Sequence, residues 1–169
     1  FKNKHLLDEA ITHRSFGSSN NERLEFLGDA VLNLVIGRSL FEKYPELPEG
    51  ELTRVRSVLV DQEGLTSVAL DLDLGHFLKL GAGELKTGGN KRPSILSDAV
   101  EALFGAIYLD SDYETVERII IQLYATYLGN MDPRELSKDP KTKLQEHLQA
   151  SRFELPEDHV GELVGGGHE

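Results

Sequence analysis

Five acidic side chains are spaced so that two helices would each present their own acids on one face. Glu22, Glu25 and Asp29 lie in the otherwise apolar stretch NERLEFLGDAVL, and Asp98 and Glu101 lie in SILSDAVEALFGAIYLD. On a helical wheel the first three share an arc of about 60°, opposite the apolar positions. Asp98 and Glu101 are three residues apart and therefore share a face of the second helix. Carboxylates are the ligands that Mg²⁺ and Mn²⁺ prefer.

A solvent-exposed helix face is the alternative explanation of these acids. A carboxylate near a helix N-terminus is favourable without any ligand, which applies to Glu22. Glu25 and Asp29, by contrast, are like charges one turn apart with no Lys or Arg on the same face, which costs energy on an isolated helix. The small residues Ala102 and Gly105 beside the second pair leave room for another helix, a ligand or both. From spacing alone, a metal site and a solvated face both remain open.

The composition limits the classes of protein that could carry such a site. The 169 residues are 39% hydrophobic, enough for one compact domain and a short additional segment. The sequence has no cysteine, which excludes thiolate metal ligands, a cysteine nucleophile and disulfides. No apolar run is long enough to span a bilayer, and the start FKNKHLLDEA is too charged for a signal peptide. We therefore expect a cytoplasmic protein without a membrane partner.

The net charge of −11 argues at first against a nucleic-acid partner, because phosphates are normally bound by surplus Lys and Arg. A centre that collects divalent cations must itself be acidic, however, and a bound cation inverts the local charge. The overall charge therefore does not decide the partner.

Helical periodicity predominates up to residue 130 and predicts an all-α domain over residues 1–130. Its longest helix is expected over about residues 22–44, with Asn20 and Asn21 as N-cap candidates. A further helix is expected to open at a proline and to cover residues 93–108. Between them, LGHFLKLGAGELKTGGNKRPS is rich in Gly and Lys, and we interpret it as a long exposed loop.

The composition changes beyond residue 130. The stretch MDPRELSKDPKTKL has two prolines and mixed charge, which predicts a linker over residues 131–139. Residues 140–169 contain one more amphipathic helix, KTKLQEHLQAS, and a remainder too short to build a core alone. We expect this part either to dock on the main domain or to begin a larger unit. Because the chain opens at Phe1 without a Met, we also expect residues before it.

The helical part of the sequence resembles the ribonuclease III family. The similarity runs through ITHRSFGSSNNERLEFLGDA, LPEGELTRVRSVLV, LGAGELKTGG and SILSDAVEALFGAIYLDSD, over about residues 1–130. It implies an all-helical endonuclease domain that acts as a homodimer on double-stranded RNA. Bacterial members add a C-terminal α/β domain that binds double-stranded RNA, and DPKTKLQEHLQAS resembles the first helix of that domain. The sheet and second helix expected after it are missing, so residues 140–169 would be an incomplete copy.

The resemblance assigns roles to individual acids. The metal ligands of the family fall on four acids that are all present: Glu25, Asp29, Asp98 and Glu101. Among them, the resemblance makes Asp29 and Glu101 the expected catalytic residues. Glu22 matches a further acid at the edge of the site, and Glu49 matches one that reaches the catalytic region of the partner subunit. For Glu49, ordinary helix-start chemistry beside Pro48 is the alternative.

The resemblance also implies a reaction, which is hydrolysis of phosphodiester bonds by metal-activated water with Mg²⁺ as cofactor and Mn²⁺ as its substitute. The products would carry 5′-phosphate and 3′-hydroxyl ends with a short 3′ overhang. The expected role is the processing of ribosomal RNA precursors and structured messenger RNA. His13 is a candidate general base, but its place at a helix end favours support of the neighbouring loop.

Phe26 is the expected dimer contact. It lies about 100° from Glu25 on the helical wheel, off the apolar arc and beside the acids. The matching aromatic residue of the family inserts into a pocket of the other subunit, and packing in the protomer's own core is the alternative. Two sites related by a twofold axis would suit the cutting of both strands of a duplex.

Residues that could contact RNA form two groups, one in or beside the Gly-rich loop and one in the helix after the linker. The members of the first group are Lys79, Lys86, Lys91 and Arg92, and those of the second are Lys141, Lys143, Gln145 and Glu146. A solvated mobile loop would explain the first group nearly as well.

Two other classes of protein compete with an endoribonuclease. A relative that keeps the fold only to hold RNA would not need all four acids. A helical metal-dependent hydrolase of nucleotides would use a His-Asp ligand pair, but His13, His76 and His147 have no suitable acidic neighbour in the sequence. Cleavage of duplex RNA compared with free nucleotides would separate the three classes.

Overall fold

The computed structural model of the protein describes residues 1–129 and Asp132. Most of these residues belong to seven α-helices: α1 (Lys4–Ala10), α2 (Glu22–Lys43), α3 (Glu49–Val60), α4 (Gln62–Asp71), α5 (Ala82–Lys86), α6 (Pro93–Asp110) and α7 (Tyr113–Gly129). Two short 3₁₀ turns cover Leu74–His76 and Gly89–Lys91. In this part of the chain, β-type pairing is limited to one isolated bridge between Thr12 and Lys79. The prediction of an all-α domain is confirmed.

The predicted linker (131–139) and partial RNA-binding domain (140–169) lie outside the described residues, apart from Asp132. The same holds for the RNA-contact candidates Lys141, Lys143, Gln145 and Glu146. Across the described helices, none combines the length and the apolar character needed to cross a membrane.

Helix α6 lies at the centre because nearly its whole circumference is apolar or small. Leu96, Ala99, Val100 and Phe104 are fully buried, and α6 packs against α1, α2, α4 and α7. Its most extensive contact is with α2, which buries Leu32, Val35 and Ile36 among other residues of the same face. These two helices form the core of the domain and carry all five acids named first.

The start of α2 differs in detail from the expected N-cap. Asn21 occupies the cap position, but its side-chain amide donates to the carbonyl of Ala10 at 3.1 Å and so ties α2 to α1. Asn20 supplies the oxygen that accepts the backbone N–H of Glu22, also at 3.1 Å. The two asparagines therefore divide the capping and docking roles.

The prediction of a long exposed loop over residues 74–94 is wrong. The segment contains α5 and both 3₁₀ turns, and Leu74 and Leu80 are buried. The backbone N–H of His13 donates to the carbonyl of Lys79 at 2.9 Å, which anchors the segment along residues 11–15. The segment is held in place by two buried leucines and by backbone hydrogen bonds. These contacts produce little apolar periodicity, so the sequence pattern does not reveal that the segment is ordered.

Candidate metal centre

Two glycines bring the acid-bearing faces of α2 and α6 together. A Cβ atom on Gly28 would lie 1.6 Å from the carbonyl oxygen of Glu101, and a Cβ on Gly105 would lie 2.4 Å from the carbonyl oxygen of Leu24. Only glycine permits this backbone-to-backbone approach. The room expected beside Gly105 is thus filled by a helix.

Three carboxylates gather where the two helices cross. One oxygen from each of Glu25, Asp98 and Glu101 lies within 4.8 Å of the others. Glu101 is buried, with 8% of its surface exposed, whereas Glu25 and Asp98 are half-buried. Three carboxylates at these distances are a suitable donor set for a hard divalent cation.

Asp29 joins this cluster from the exposed side of α2. Its carboxyl group lies close enough to the Glu101 carboxyl to raise the pKa of Glu101. Asn33, one turn further along α2, donates its side-chain N–H to Asp29 Oδ1 at 3.3 Å and to the Asp29 carbonyl at 2.9 Å. The structure therefore brings all four expected ligands to one crossing.

Burial, together with neighbouring carboxylates in the case of Glu25 and Glu101, makes Glu25, Asp98 and Glu101 weak acids in the metal-free protein. Burial, followed by contact with Asp29, raises the pKa of Glu101 to about 9. Burial, followed by the charge of Asp98, raises the pKa of Glu25 to about 7, and burial also raises the pKa of Asp98. Carboxyl groups this close cannot all ionise unless a cation offsets their charge.

A cavity of about 480 Å³ opens beside the cluster. Its lining includes Glu25 and Asp98 together with the members of two ion pairs. Arg14 pairs with Glu22 at 3.7 Å, and Arg92 pairs with Glu84. The cavity thus combines carboxyl groups of the cluster with two cations that are themselves paired with acids.

Sequence reasoning missed Arg14 and Glu84 as cavity residues. Arg14 belongs to the turn between α1 and α2, and Glu84 belongs to α5 in the segment that was expected to be an exposed loop. Their proximity results from the packing of that segment against residues 11–15, and no spacing signal in the sequence indicates it.

The remaining acid and histidine candidates lie outside the carboxylate cluster. Glu22 is exposed at the cavity rim. Glu49 is exposed in the first turn of α3, where its carboxylate accepts the hydroxyl of Thr53 at 2.9 Å. His13 lines the cavity, but its Nδ1 is hydrogen-bonded with the Ser15 hydroxyl at 2.7 Å, which supports the role in holding the loop.

Helix α2 also presents an exposed apolar stripe, which consists of Phe26, Leu34 and Phe41. Their exposed fractions are 82%, 58% and 71%. Phe26 therefore does not pack in the core of its own protomer. Lys86 and Lys91 are exposed, and Lys79 is paired with Asp8 at 3.4 Å.

Comparison with known proteins agrees with this fold. The sequence profile of the Ribonuclease-III-like family matches residues 3–128. Ribonuclease 3 of Dechloromonas aromatica is 54% identical over 169 residues, which cover 100% of this chain and 76% of that protein. Ribonuclease 3 of Bordetella pertussis is 51% identical over 168 residues, which cover 99% of this chain and 66% of that protein.

Solved structures give the same result. The nuclease domain of ribonuclease III from Campylobacter jejuni matches with a TM-score of 0.74 and 46% identity, over 78% of this chain and 90% of that one. Another structure of that domain, described by its flexibility in the region involved in dimer formation, has a TM-score of 0.72 and 48% identity over 73% and 87% of the two chains. Dicer from Pichia stipitis matches with a TM-score of 0.60 and 32% identity, over 76% and 58%.

The helical fold is that of a ribonuclease III nuclease domain. The chain belongs to the ribonuclease III family, as the sequence resemblance predicted.

Proposed function

We propose that this protein is an endoribonuclease that hydrolyses double-stranded RNA with a divalent cation held by Glu25, Asp29, Asp98 and Glu101. The observation that carries the proposal is the set of three carboxylates within 4.8 Å of one another, which Asp29 extends through its contact with Glu101. Relatives that share about half of the sequence are ribonucleases by name. A structural or RNA-holding relative would have no use for so costly a group of acids.

The donor set fits Mg²⁺, and Mn²⁺ as its substitute, because every candidate ligand is a carboxylate oxygen. The raised pKa values of Glu25 and Glu101 support the same conclusion. In the metal-free protein these two groups retain protons, which neutralise the carboxylates as a bound cation would. A cation would displace these protons. Metal affinity is therefore expected to increase with pH.

Each acid contributes differently to the proposed reaction. Glu101 is the buried ligand, so packing restricts its side chain more than those of the others. Asp29 is exposed, on the side from which water and RNA can approach. When bound, a divalent cation lowers the pKa of coordinated water and offsets the charge of the phosphate and of the departing 3′ oxygen. We expect 5′-phosphate and 3′-hydroxyl ends with a short 3′ overhang.

Arg92 lines the cavity beside the acids, which supports its assignment as an RNA contact. The exposed side chains of Lys86 and Lys91 could follow the phosphate backbone outside the cavity. Ribosomal RNA precursors and structured messenger RNA as substrates, and the cytoplasm as the location, remain predictions from the sequence.

The proposal includes a homodimer. The apolar stripe of Phe26, Leu34 and Phe41 is exposed in the single protomer, and burying it against a second copy would remove this surface from water. Cutting both strands of a duplex also needs two sites related by a twofold axis.

A cleavage assay tests the proposed activity. Duplex RNA, single-stranded RNA and free nucleotides are incubated with the protein, with and without Mg²⁺, beside the variant Glu101→Gln. We expect the protein to cleave duplex RNA but neither single-stranded RNA nor free nucleotides, and to do so only when Mg²⁺ is present. Glu101→Gln should keep duplex binding and reduce cleavage by more than about 100-fold. Loss of a residue that only hydrogen-bonds a metal ligand costs about 10–100-fold, and loss of a ligand itself should cost more.

Glu114→Gln is the matched control, since Glu114 is an exposed acid in the first turn of α7. Near-normal cleavage by Glu101→Gln at low Mg²⁺ would remove Glu101 from the ligand set. Duplex binding without cleavage by the unmodified protein would indicate an RNA-holding relative, and hydrolysis of free nucleotides would indicate a different hydrolase.

A further inference from the structure

Asn33 makes two hydrogen bonds to one residue of the acid cluster. Its side-chain Nδ2 donates to the backbone carbonyl of Asp29 at 2.9 Å and to Asp29 Oδ1 at 3.3 Å. The bond to the carbonyl holds the amide against the helix, and the second bond then restrains the rotation of the Asp29 carboxylate. Asn33 itself is half-buried, so its amide has limited freedom.

We propose that Asn33 is a positioning residue, which fixes the orientation of the Asp29 carboxylate for coordination of the divalent cation. This inference rests on the proposed metal-dependent function. Groups that hydrogen-bond a metal ligand from behind commonly set its orientation, and their loss costs 10–100-fold in metal affinity or activity.

Asparagine suits this role better than chemically similar residues would. An aspartate at position 33 would add another negative charge to a site that already holds four carboxyl groups, and it could not donate from a carboxylate. Alanine would favour the helix more than asparagine does, so helix stability does not explain the presence of Asn33. Glutamine could still donate to Asp29 from the (i, i+4) position.

Two simpler roles predict other results. Asn33 also lines a cavity of about 560 Å³ with Leu34 and Phe41, so it could act through the dimer contact. It could also act only as a side-chain bond to the helix backbone. Ser57 is a matched control for the second role, because its hydroxyl donates to the carbonyl of Thr53 at 2.8 Å on α3, outside the cluster.

The test is calorimetric titration of the full RNA-free chain with Mn²⁺, beside steady-state cleavage and sedimentation equilibrium. We expect Asn33→Ala to weaken Mn²⁺ binding by about 10–100-fold. Its melting temperature should hold or rise. In cleavage at a fixed subsaturating Mn²⁺ concentration, kcat should fall while KM for duplex RNA stays the same. Asn33→Gln should restore most of the affinity, Asn33→Asp should not, and Ser57→Ala should bind Mn²⁺ normally.

A double-mutant cycle locates the effect. In an Asp29→Ala background, Asn33→Ala should change Mn²⁺ affinity no further, because its route to the cation is gone. Unchanged affinity in Asn33→Ala, an additive loss in the double variant, or a loss that follows dimer dissociation would each overturn the inference. If Glu101→Gln also leaves Mn²⁺ affinity unchanged, the proposed metal centre itself fails. Weakened binding in Glu101→Gln beside normal binding in Asn33→Ala rejects only the role of Asn33.

Discussion

Helices α2 and α7 pack on the same core but treat their polar groups in opposite ways. On α7, the hydroxyl of Tyr124 donates to the carbonyl of Leu59 at 3.1 Å, and the hydroxyl of Tyr127 donates to the carboxylate of Asp71 at 2.5 Å. Leu59 lies in the last turn of α3, where helix carbonyls lack a partner within the helix. Tyr124 and Tyr127 of α7 thus complete the hydrogen bonding of neighbouring helices.

The acids and the exposed aromatic residues of helix α2 are expected to be stabilised by groups from outside the protomer. Glu25 lies against Asp98 of α6, and the charge of Asp98 helps to raise the pKa of Glu25. Phe26 and Phe41 are mostly exposed. A group of buried carboxyl groups costs free energy in an isolated protomer, and an exposed apolar stripe contributes nothing to its folding and is typical of an interaction surface.

This difference separates the scaffold of the molecule from the parts that serve function. Contacts that are satisfied within the chain, as on α7, need no ligand to explain them. The acids cost stability in the protomer and the apolar stripe adds none, and in the proposed function a cation and a second copy give these groups their stabilising contacts.

The largest expected effect concerns Phe26 and the dimer. If each ring fills a pocket on the other subunit, Phe26→Ala costs about 3 kcal/mol per ring, and twofold symmetry doubles the loss. The dimer should then weaken by several orders of magnitude, while the protomer's melting temperature changes little because the ring is exposed there. Sedimentation equilibrium measures this directly, and duplex cleavage should recover as the protein concentration is raised.

Phe77→Ala is the control for Phe26→Ala. Phe77 is also an exposed aromatic residue, but it follows the first 3₁₀ turn and is not part of α2. It should leave the dimer constant unchanged. An unshifted monomer–dimer equilibrium in Phe26→Ala would exclude this ring as a dimer contact.

Tyr124→Phe tests the opposite side of the comparison. The substitution keeps the ring but leaves the buried carbonyl of Leu59 without the tyrosine hydroxyl, which should cost about 1–3 kcal/mol of unfolding free energy. Chemical denaturation measures the loss. Cleavage at temperatures where the variant is folded should be normal, because Tyr124 belongs to the scaffold.

Tyr127→Phe provides a graded control for that loss. Its partner Asp71 is exposed, so water can replace the lost hydroxyl and the effect should be smaller. A large fall in activity in the folded Tyr124→Phe variant would show that α7 contributes to the site and would break the distinction between the two helices.

Much of the fold could be predicted because helical periodicity is a local signal. The predicted range 22–44 for α2 and the opening of α6 at Pro93 agree closely with the structure. The segment of residues 74–94 could not be predicted, because long-range backbone bonds such as that between His13 and Lys79 order it.

The candidate site was predictable to the same extent. The wheel placed Glu25 and Asp29 on one arc, but only the contact of Gly28 with the backbone of Glu101 determines that this arc faces α6. Arg14 reaches the cavity through loop packing, which leaves no trace in its local sequence.

The last expected effect is the pH dependence of stability in the metal-free protein. The pKa of Glu101 is raised from 4.5 to about 9 and that of Glu25 from 4.5 to about 7, chiefly by burial. The folded state therefore keeps protons that the unfolded state releases. This contribution to stability is complete below about pH 4.5 and is lost as the pH rises to about 9.

Melting temperatures recorded with a chelator across this range should fall as the pH rises, by on the order of ten degrees or more. Glu101→Gln should flatten the profile, because the amide has no proton to lose, and it should be the more stable protein at high pH. Added Mg²⁺ should stabilise the unmodified protein most at the alkaline end, where the cation no longer competes with protons. Tyr127→Phe should shift the whole curve downward without changing its slope, since it lies in the scaffold. Parallel profiles for Glu101→Gln and the unmodified protein would mean that Glu101 ionises in the folded state as readily as in the unfolded one, and the acids of α2 and α6 would then carry no cost for a cation to offset.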